Sequence, residues 1–234
     1  VISTSSILIH MEAIETTGQM DVSVGGSIVN GTNQKSFTLE RAFLDHATPT
    51  YEYLRGMVPG TFNLTVSSGS IVNCSFGFTG RSHTVGTSRF TGATEVAAGA
   101  GTTYNASSNV AAIGEGNTQS TIVTEVSIDV DNNLRELKAV GTLGASDIGA
   151  GEFNVTGSLQ TYFEDKALLT KLIDNTQTSI SFAFSDGIEG NTLIFDLPAV
   201  KFSEGVPEVS GKNEDVMLNL SFQAFRHPTL GYTM

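Results

Sequence analysis

The fold is decided by three segments of the chain, which read GEFNVTGSLQTYF at 151–163, SISFAFSDGIEGNTLIFDLP at 179–198 and DVMLNLSFQAF at 215–225. Apolar and polar side chains alternate along each of them. Because successive side chains of a β-strand point to opposite faces, this period of two collects the apolar residues on one face. The sequence therefore predicts four strands, two of them joined into a hairpin at Asp186-Gly187.

The connections between these strands carry signals of their own. Asp165 stands at the N-cap of a predicted short helix, which is expected to cover the sheet with one apolar side. That side consists of Leu168, Leu169, Leu172 and Ile173. Pro198 predicts the end of the second hairpin strand. Residues 203–214 are polar and contain Gly and Pro, so a loop is predicted there.

The same region resembles a known family. The segments that carry the resemblance are Gly151-Glu-Phe-Asn-Val-Thr-Gly157, Tyr162-Phe-Glu-Asp-Lys-Ala-Leu168, Phe195-Asp-Leu-Pro198 and Val209-Ser-Gly-Lys-Asn-Glu-Asp-Val-Met217, with Ser36-Phe-Thr-Leu-Glu-Arg41 and Gly56-Met57 earlier in the chain. Together they resemble the tail tube (major tail) proteins of long, flexible-tailed bacteriophages. The resemblance implies a structural subunit of the virion tail, made in the host cytoplasm, whose copies join into stacked rings around a channel for DNA. It also implies a tape-measure protein and tail tip or terminator proteins as partners.

Composition agrees with a β-rich structural protein. The 234 residues include 25 Gly and no Trp, a mixture typical of many short strands joined by tight turns. The formal charge of −12 argues against a protein that grips DNA, because affinity for phosphates comes from Lys and Arg, of which there are only 12. An acidic wall would instead keep passing DNA from sticking. Taken alone, the negative charge is better explained by the need to stay soluble.

The first half of the chain predicts a similar order of elements: a strand, a helical connection that ends at Gly56, and a hairpin. These elements occupy 36–43, 45–56 and 62–78. The strand is matched with the one predicted at 152–163, the helical connection with the helix, and one hairpin with the other. Further strands are predicted at 20–30 and 121–130.

The predicted fold class is mainly β with short helices, built as β-sandwich or barrel modules in tandem. Residues 87–119, rich in Gly, Ala, Ser and Thr, are predicted to form a long flexible loop. It belongs to an N-terminal tube module at 1–117, which a C-terminal tube module at 118–234 follows. Copies are expected to close into a β-barrel ring, which removes exposed strand edges. Three chains with two modules each are favoured over six chains with one.

A search for chemistry predicts neither an enzyme nor a cofactor. The histidines lie far apart, and none has a second His or Cys at metal-ligand spacing: His10, His46, His83 and His227. Residues 129–133 lack the Gly and the distal Glu of a calcium loop. Glu164 and Asp165 suit the start of a helix better than acid-base catalysis. The single cysteine, Cys74, shares a strand face with apolar residues and is expected to be a buried structural thiol. No stretch is long and apolar enough to span a membrane.

The candidate functional residues are therefore those of assembly. The uncharged polar sides of two predicted strands fit a wetted channel wall that DNA slides past without specific binding: Ser179, Ser181, Asn219, Ser221 and Gln223. The same set fits an ordinary solvent-facing strand. The predicted loop at 203–214 supplies candidates for contact between rings: Gly205, Pro207, Gly211, Lys212 and Asn213. The rival class is a carbohydrate-binding or adhesin-like β-sandwich, which the absence of Trp and the presence of only five Tyr argue against.

Overall fold

The computed structural model describes residues 29–31, 34–92, 103–116, 118–119, 122–188, 192–209 and 211–234. Within them the chain forms thirteen strands and one helix. The strands are β1 Phe37–Phe43, β2 Thr50–Ser67, β3 Asn73–Thr79, β4 Ser82–Gly86, β5 Val110–Glu115, β6 Thr118–Gln119, β7 Val123–Asp131, β8 Arg135–Leu137, β9 Asp147–Gly149, β10 Asn154–Tyr162, β11 Thr178–Ser185, β12 Thr192–Val209 and β13 Val216–Ala224. The helix, α1, is Ala167–Ile173. The prediction of a mainly β chain is confirmed.

Eleven of these strands form one antiparallel sheet. Its order is β1-β2-β7-β10-β13-β12-β11-β5-β6, and β3 and β4 also pair with β2. β8 and β9 make a separate two-stranded sheet. The large sheet rolls around one core, because strands far apart in its order contribute to the same cluster of buried apolar residues. Within the described part of the chain, the sheet does not close on itself.

The alternation read from the sequence builds this core. Every second residue of β11, and of β13 from Leu218 onward, is buried, as the period of two predicts. Phe195 of β12 stacks on Phe182 of β11 at 5.3 Å between ring centroids, and on Phe62 of β2 at 6.0 Å. Aromatic rings thus join two walls of the rolled sheet. The innermost apolar side chains are Val126, Ile128, Val155, Ile180, Phe184, Leu197, Val200, Leu218, Leu220 and Phe222.

The predicted short helix is confirmed, and it packs on β12. Leu168 and Leu172 lie against the core cluster. The N-cap is Lys166, one residue later than predicted, but the Asp165 carboxylate does accept a hydrogen bond from the backbone N–H of Ala167 at 2.7 Å. Leu168 and Leu172 therefore cover the sheet as predicted, but Ile173, which was expected on the same side, is 74% exposed.

The helical connection predicted at 45–56 is wrong, because residues 50–67 are one long strand. Gly56 has a φ of +62°, the left-handed conformation that a helix C-cap also needs. Here that conformation forms a bulge against β1, where the pairing of Leu39 with Leu54 gives way to that of Phe37 with Met57. Pro49 precedes the strand and interrupts no helix.

The predicted strand end at Pro198 is also wrong. β12 runs through it to Val209, so residues 203–209 are strand and only the residues after Val209 connect to β13. Proline is tolerated because no ladder hydrogen bond is needed there. The register against β11 shifts between the pairs of Ile180 and Thr178, and pairing with β13 begins only at Val200.

One three-strand arrangement occurs twice. β1 pairs with the first half of β2 and β3 with its second half, as β11 and β13 do with β12. Each central strand has 18 residues, and each carries two register shifts at the same spacing. In β2 the shifts lie at 54–57 and 59–61, and in β12 they lie at 197–200 and 202–204. β1 therefore corresponds to β11, not to the strand at 152–163 with which the sequence pattern matched it.

The two three-strand arrangements differ in the side chains at one pair of corresponding positions. In the arrangement around β12, the cross-strand partners Phe182 and Phe195 stack in the core. The corresponding positions in the arrangement around β2 are Arg41 and Glu52, which form an ion pair. His83 Nε2 lies 2.8 Å from the other oxygen of Glu52. The first arrangement thus holds an ionic cluster where the second is apolar.

Other predictions for the first half have mixed outcomes. The strand at 36–43 and the hairpin after it are confirmed as β1 and β2–β3. Cys74 is exposed, so its expected burial is wrong: β3 pairs only with β2, and its first four residues are exposed. Residues 110–115, inside the predicted loop at 87–119, form β5 and pair with β11. Of the strand predicted at 20–30, residues 20–28 lie outside the described residues.

Candidate functional site

The outward side chains of four neighbouring strands form one broad polar surface, the outer polar face. It consists of residues 61–67 of β2 with β7, β10 and β13. Cross-strand pairing aligns its side chains in three rows: Asn63, Asp129, Thr156 and Gln223; Thr65, Ser127, Ser158 and Ser221; Ser67, Glu125, Gln160 and Asn219. The opposite side of the same strands packs into the core.

Hydrogen bonds between neighbouring strands hold several of these side chains in place. The hydroxyls of Ser127 and Ser158 lie 2.8 Å apart, and the Asn63 amide donates to the Asp129 carboxylate. At one margin, the side-chain amide of Gln223 donates to the side-chain Oδ1 of Asn154 at 3.3 Å. Polar side chains that already hydrogen-bond to one another have few donors free for a ligand, and their surface stays hydrated.

The charged residues in the four strand segments of this face are all acidic. Its four strand segments contain three carboxylates, Glu125, Asp129 and Asp131, and no Lys or Arg. None of these three carboxylates has a salt bridge in the structure's described part. The next strand, β12, pairs Lys201 with Gln223, Glu204 with Ser221 and Glu208 with Met217, so the surface gains one cation and two carboxylates at this margin. Such a net acidic wall repels a polyanion.

The predicted channel residues fall into two groups. Asn219, Ser221 and Gln223 lie together on the outer polar face, on β13. Ser179 and Ser181 also point away from the core, but they lie on β11, beyond β12. The structure therefore gathers three of the five residues and separates the other two.

The C-terminal segment lies near the second group. Asp196, the cross-strand partner of Ser181, accepts a hydrogen bond from the Tyr232 hydroxyl at 3.1 Å. Burial raises the pKa of the Tyr232 hydroxyl above its ordinary value, and the hydrogen bond to Asp196 raises it further. The neutral phenol therefore ties the end of the chain to β12.

The predicted ring-contact residues are divided between a strand and a turn. Gly205 and Pro207 lie in β12, while Gly211, Lys212 and Asn213 lie in the exposed turn before β13. A Cβ on Gly205 would stand 2.4 Å from Leu220 Cδ2 and 3.2 Å from Leu172 Cδ2. Gly205 thus serves internal packing by letting α1 approach the sheet.

Sequence reasoning missed most of the outer polar face. Ser127, Ser158, Thr65 and Asn63 lie beside the predicted residues but come from three other strands. The signal available was the same polar alternation in 123–131 and 154–162. Only the pairing of these strands shows that their polar sides form one surface.

Catalytic and metal chemistry find little support in the described residues. No group of three or more His, Cys, Asp and Glu residues there could hold a metal ion. His46 is exposed and stacks on Phe43, and His227 accepts turn hydrogen bonds from the N–H groups of Thr229 and Leu230. His83 pairs with Glu52, and His10 lies outside the described residues. In the same part of the chain, no helix is long and apolar enough to cross a membrane.

The fold is thus mainly β: one rolled antiparallel sheet with a single short helix in the described residues and a broad polar face. The sequence matches the family model described as phage tail tube protein over residues 11–224, and the chain belongs to that family. No curated protein matches the sequence. The chain is therefore a structural component of a virion tail, from a family that assembles into a tube and associates with other tail proteins. That family is not known for enzymatic activity.

Proposed function

We propose that copies of this chain form rings that stack into the tail tube of a long, flexible-tailed phage, with the outer polar face lining the channel. One observation carries the assignment of that face: four adjacent strand segments present hydrogen-bonded polar side chains and three carboxylates, with no cation among them. DNA that crosses such a wall during genome delivery meets an excess of carboxylates, with Lys201 of β12 only at the margin beside Gln223.

A channel for DNA needs a polar, acidic wall, because DNA that binds to the wall would pass through more slowly. Proteins hold DNA through Lys and Arg, whose contacts with phosphates release counterions. A wall of Ser, Thr, Asn and Gln keeps its water layer, and its carboxylates repel the phosphates over about a Debye length, roughly 8–10 Å at physiological salt. The outer polar face combines both properties, and so it serves passage without specific binding.

The repeated three-strand arrangement supports two tube modules per chain, one at 1–117 and one at 118–234. Equal strand lengths and equal spacing of the two register shifts are features that unrelated strands have no reason to share. Three such chains supply six modules to a ring. A ring of six chains is the outcome that counts against this organisation. A tape-measure protein and tail tip or terminator proteins complete the tail, which is assembled from chains made in the host cytoplasm.

Electron microscopy of the purified protein over a range of concentrations, with native mass measurement of the soluble species, tests the proposal. Rings or hollow tubes are expected, and the ring mass should equal three chains. Six chains per ring would contradict the proposal of two modules per chain but not the proposal that the chain forms a tube. A protein that stays monomeric at every concentration, even with tail tip complexes added as seeds, would contradict the tube and favour the adhesin-like sandwich.

A new cation on the outer polar face should slow DNA transit. Asn219→Lys and Ser221→Lys each add an ammonium group to four strand segments that contain no Lys or Arg, on every copy that lines the channel. We expect tubes of normal length and DNA release slowed roughly severalfold, with the largest effect at low salt. Phage particles that carry the variant, with dye-detected DNA release, provide the measurement.

Gln177→Lys is the matched control, because Gln177 is exposed in the turn before β11, away from the face. It adds the same charge and should leave the rate unchanged. Short or missing tubes in the Asn219 and Ser221 variants would show that these residues pack in an interface instead of lining the channel.

A further inference from the structure

The sequence contains one Asn-Gly pair, Asn30-Gly31. In such a pair the backbone nitrogen of the glycine can attack the asparagine side chain, because glycine has no side chain of its own to hinder the approach. Gly31 is exposed, and a Cβ built on it would meet nothing within 4 Å. The space around the attacking nitrogen is therefore open, and the reactivity of the pair depends on how Asn30 is held.

The side chain of Asn30 is held by residues 232–234. Its Oδ1 accepts a hydrogen bond from the backbone N–H of Thr233 at 2.7 Å and a longer one from the backbone N–H of Met234 at 3.5 Å. The backbone N–H of Asn30 in turn donates to the carbonyl oxygen of Met234 at 3.4 Å. We call these three hydrogen bonds the Asn30 clasp.

Residues 232–234 are themselves anchored in the fold. The Tyr232 hydroxyl donates to the Asp196 carboxylate of β12 at 3.1 Å, and the Tyr232 carbonyl oxygen accepts a hydrogen bond from the N–H of His227 at 2.9 Å. Thr233 is buried, and Met234 packs against the core cluster. The Asn30 clasp thus ties an exposed Asn-Gly pair to an ordered part of the chain.

Deamidation of this pair takes two steps. The backbone nitrogen of Gly31 bonds to Cγ of Asn30 and closes a five-membered imide, while the Cγ–Nδ2 bond breaks and Nδ2 leaves as ammonia with the proton of the Gly31 N–H. Water then opens the ring. Its attack at Cγ gives aspartate, and its attack at the backbone carbonyl carbon of Asn30 gives isoaspartate, in which the main chain passes through Cβ and Cγ. Both products carry a carboxylate in place of the amide.

The Asn30 clasp opposes the first step. Ring closure requires the side chain of Asn30 to move until Cγ is within bonding distance of the Gly31 nitrogen. The hydrogen bonds to Oδ1 resist this movement, since breaking them leaves the N–H of Thr233 without an acceptor. Thr233 is 5% exposed, so little water is available to replace Oδ1, and an unsatisfied buried donor is unfavourable. Deamidation is therefore slow for as long as residues 232–234 stay docked.

We propose that Asn30-Gly31 is a modification site controlled by the Asn30 clasp: the asparagine stays intact while residues 232–234 are docked, and it is deamidated when they detach. Isoaspartate lengthens the main chain by one carbon atom at this position, so the clasp does not re-form with the same geometry. The change is irreversible, and it marks chains in which residues 232–234 have detached. This inference does not depend on the proposed function.

The deamidation rate of the purified protein in neutral buffer tests the inference. Peptide mass spectrometry follows the loss of Asn30, and labelling by an isoaspartyl methyltransferase detects the isoaspartate product. The native protein should react about tenfold or more slowly than the same protein unfolded in guanidinium chloride. Gly31→Ala should slow the reaction of the unfolded protein, because the added methyl group hinders the attacking nitrogen, and this identifies the site.

Two variants separate the Asn30 clasp from the rest of the fold. T233P removes the N–H that donates to Oδ1 and should raise the native rate severalfold or more, toward that of the unfolded chain. T233V is the matched control, because it keeps this N–H and should react like the wild type. Circular dichroism checks that both variants fold.

Y232F gives a second test that leaves every backbone donor in place. It removes only the hydroxyl that anchors the segment to Asp196, and its rate should lie between those of T233V and the unfolded chain. T233P and Y232F proteins that react as slowly as T233V would overturn the role of the clasp. A native wild-type protein that reacts as fast as the unfolded chain would overturn the protection itself.

Discussion

Replacing Gly157 with valine should lower the free energy of unfolding by at least about 3 kcal/mol, which corresponds to a fall in Tm of about 10 °C for a chain of this size. Gly157 lies in the middle of β10, between Ile128 of β7 and Phe222 of β13. A Cβ there would stand 2.2 Å from the carbonyl oxygen of Ser127 and 2.4 Å from Phe222 Cζ. Neither neighbour can move far, because both belong to strands paired on either side of β10.

Thermal unfolding followed by circular dichroism measures this effect on the unassembled protein. Gly31→Val is the matched control, since a Cβ on Gly31 meets nothing within 4 Å. It should change the stability by no more than about 0.5 kcal/mol. A Gly157 variant as stable as this control would mean that β10 can shift against its neighbours, contrary to the packing described.

Phe182→Ala should cost about 3–5 kcal/mol, since it leaves a cavity in the middle of the core. The ring of Phe182 is 2% exposed, stacks on Phe195 at 5.3 Å and meets the edge of Phe184 at 6.0 Å. Its loss also weakens the link from β11 through Phe195 to Phe62 on β2. Denaturant unfolding gives the change in free energy.

Phe76→Ala is the control for this substitution. Phe76 contacts Phe62 at 4.9 Å, but it is 44% exposed, so its truncation should cost no more than about 1 kcal/mol. Equal losses from the two variants would show that the aromatic rings of β11 and β12 do not form the central contact of the fold.

The sequence predicted those strands whose two faces differ in polarity. Leu218, Leu220 and Phe222 alternate with Asn219 and Ser221, and β13 appears where that alternation lies. The helix followed from leucines on one side. These signals are local, and each depends only on residues a few positions apart.

The errors arose where one residue type serves two backbone conformations. Gly56 does have the positive φ of a helix C-cap, but it uses that φ for a bulge within β2. Pro198 is compatible with a strand wherever the ladder needs no donor, which depends on β11 and β13 and not on its sequence neighbours. Cys74 is exposed because β3 lies at an edge, and edge position is a property of the whole sheet.

The sequence predicted the polar character of the candidate site, but it did not predict which other strands contribute to the site. Asn219, Ser221 and Gln223 were identified as one polar strand face, and the structure places them so. Their neighbours Ser158 and Ser127 are 63 and 94 positions earlier than Ser221, and no local pattern specifies such a register. The hairpin of β8 and β9 was missed because nothing in residues 134–150 has a clear period.

The ion pair of Arg41 and Glu52, at positions where the other arrangement holds Phe182 and Phe195, has a consequence for symmetry. A ring of six identical modules offers every partner six equivalent attachment points, and each substitution changes all six. In the proposed ring of three chains, two kinds of module alternate, so each can change independently. A tail protein that recognises only the ionic kind would then find three attachment points in a ring with a sixfold outline.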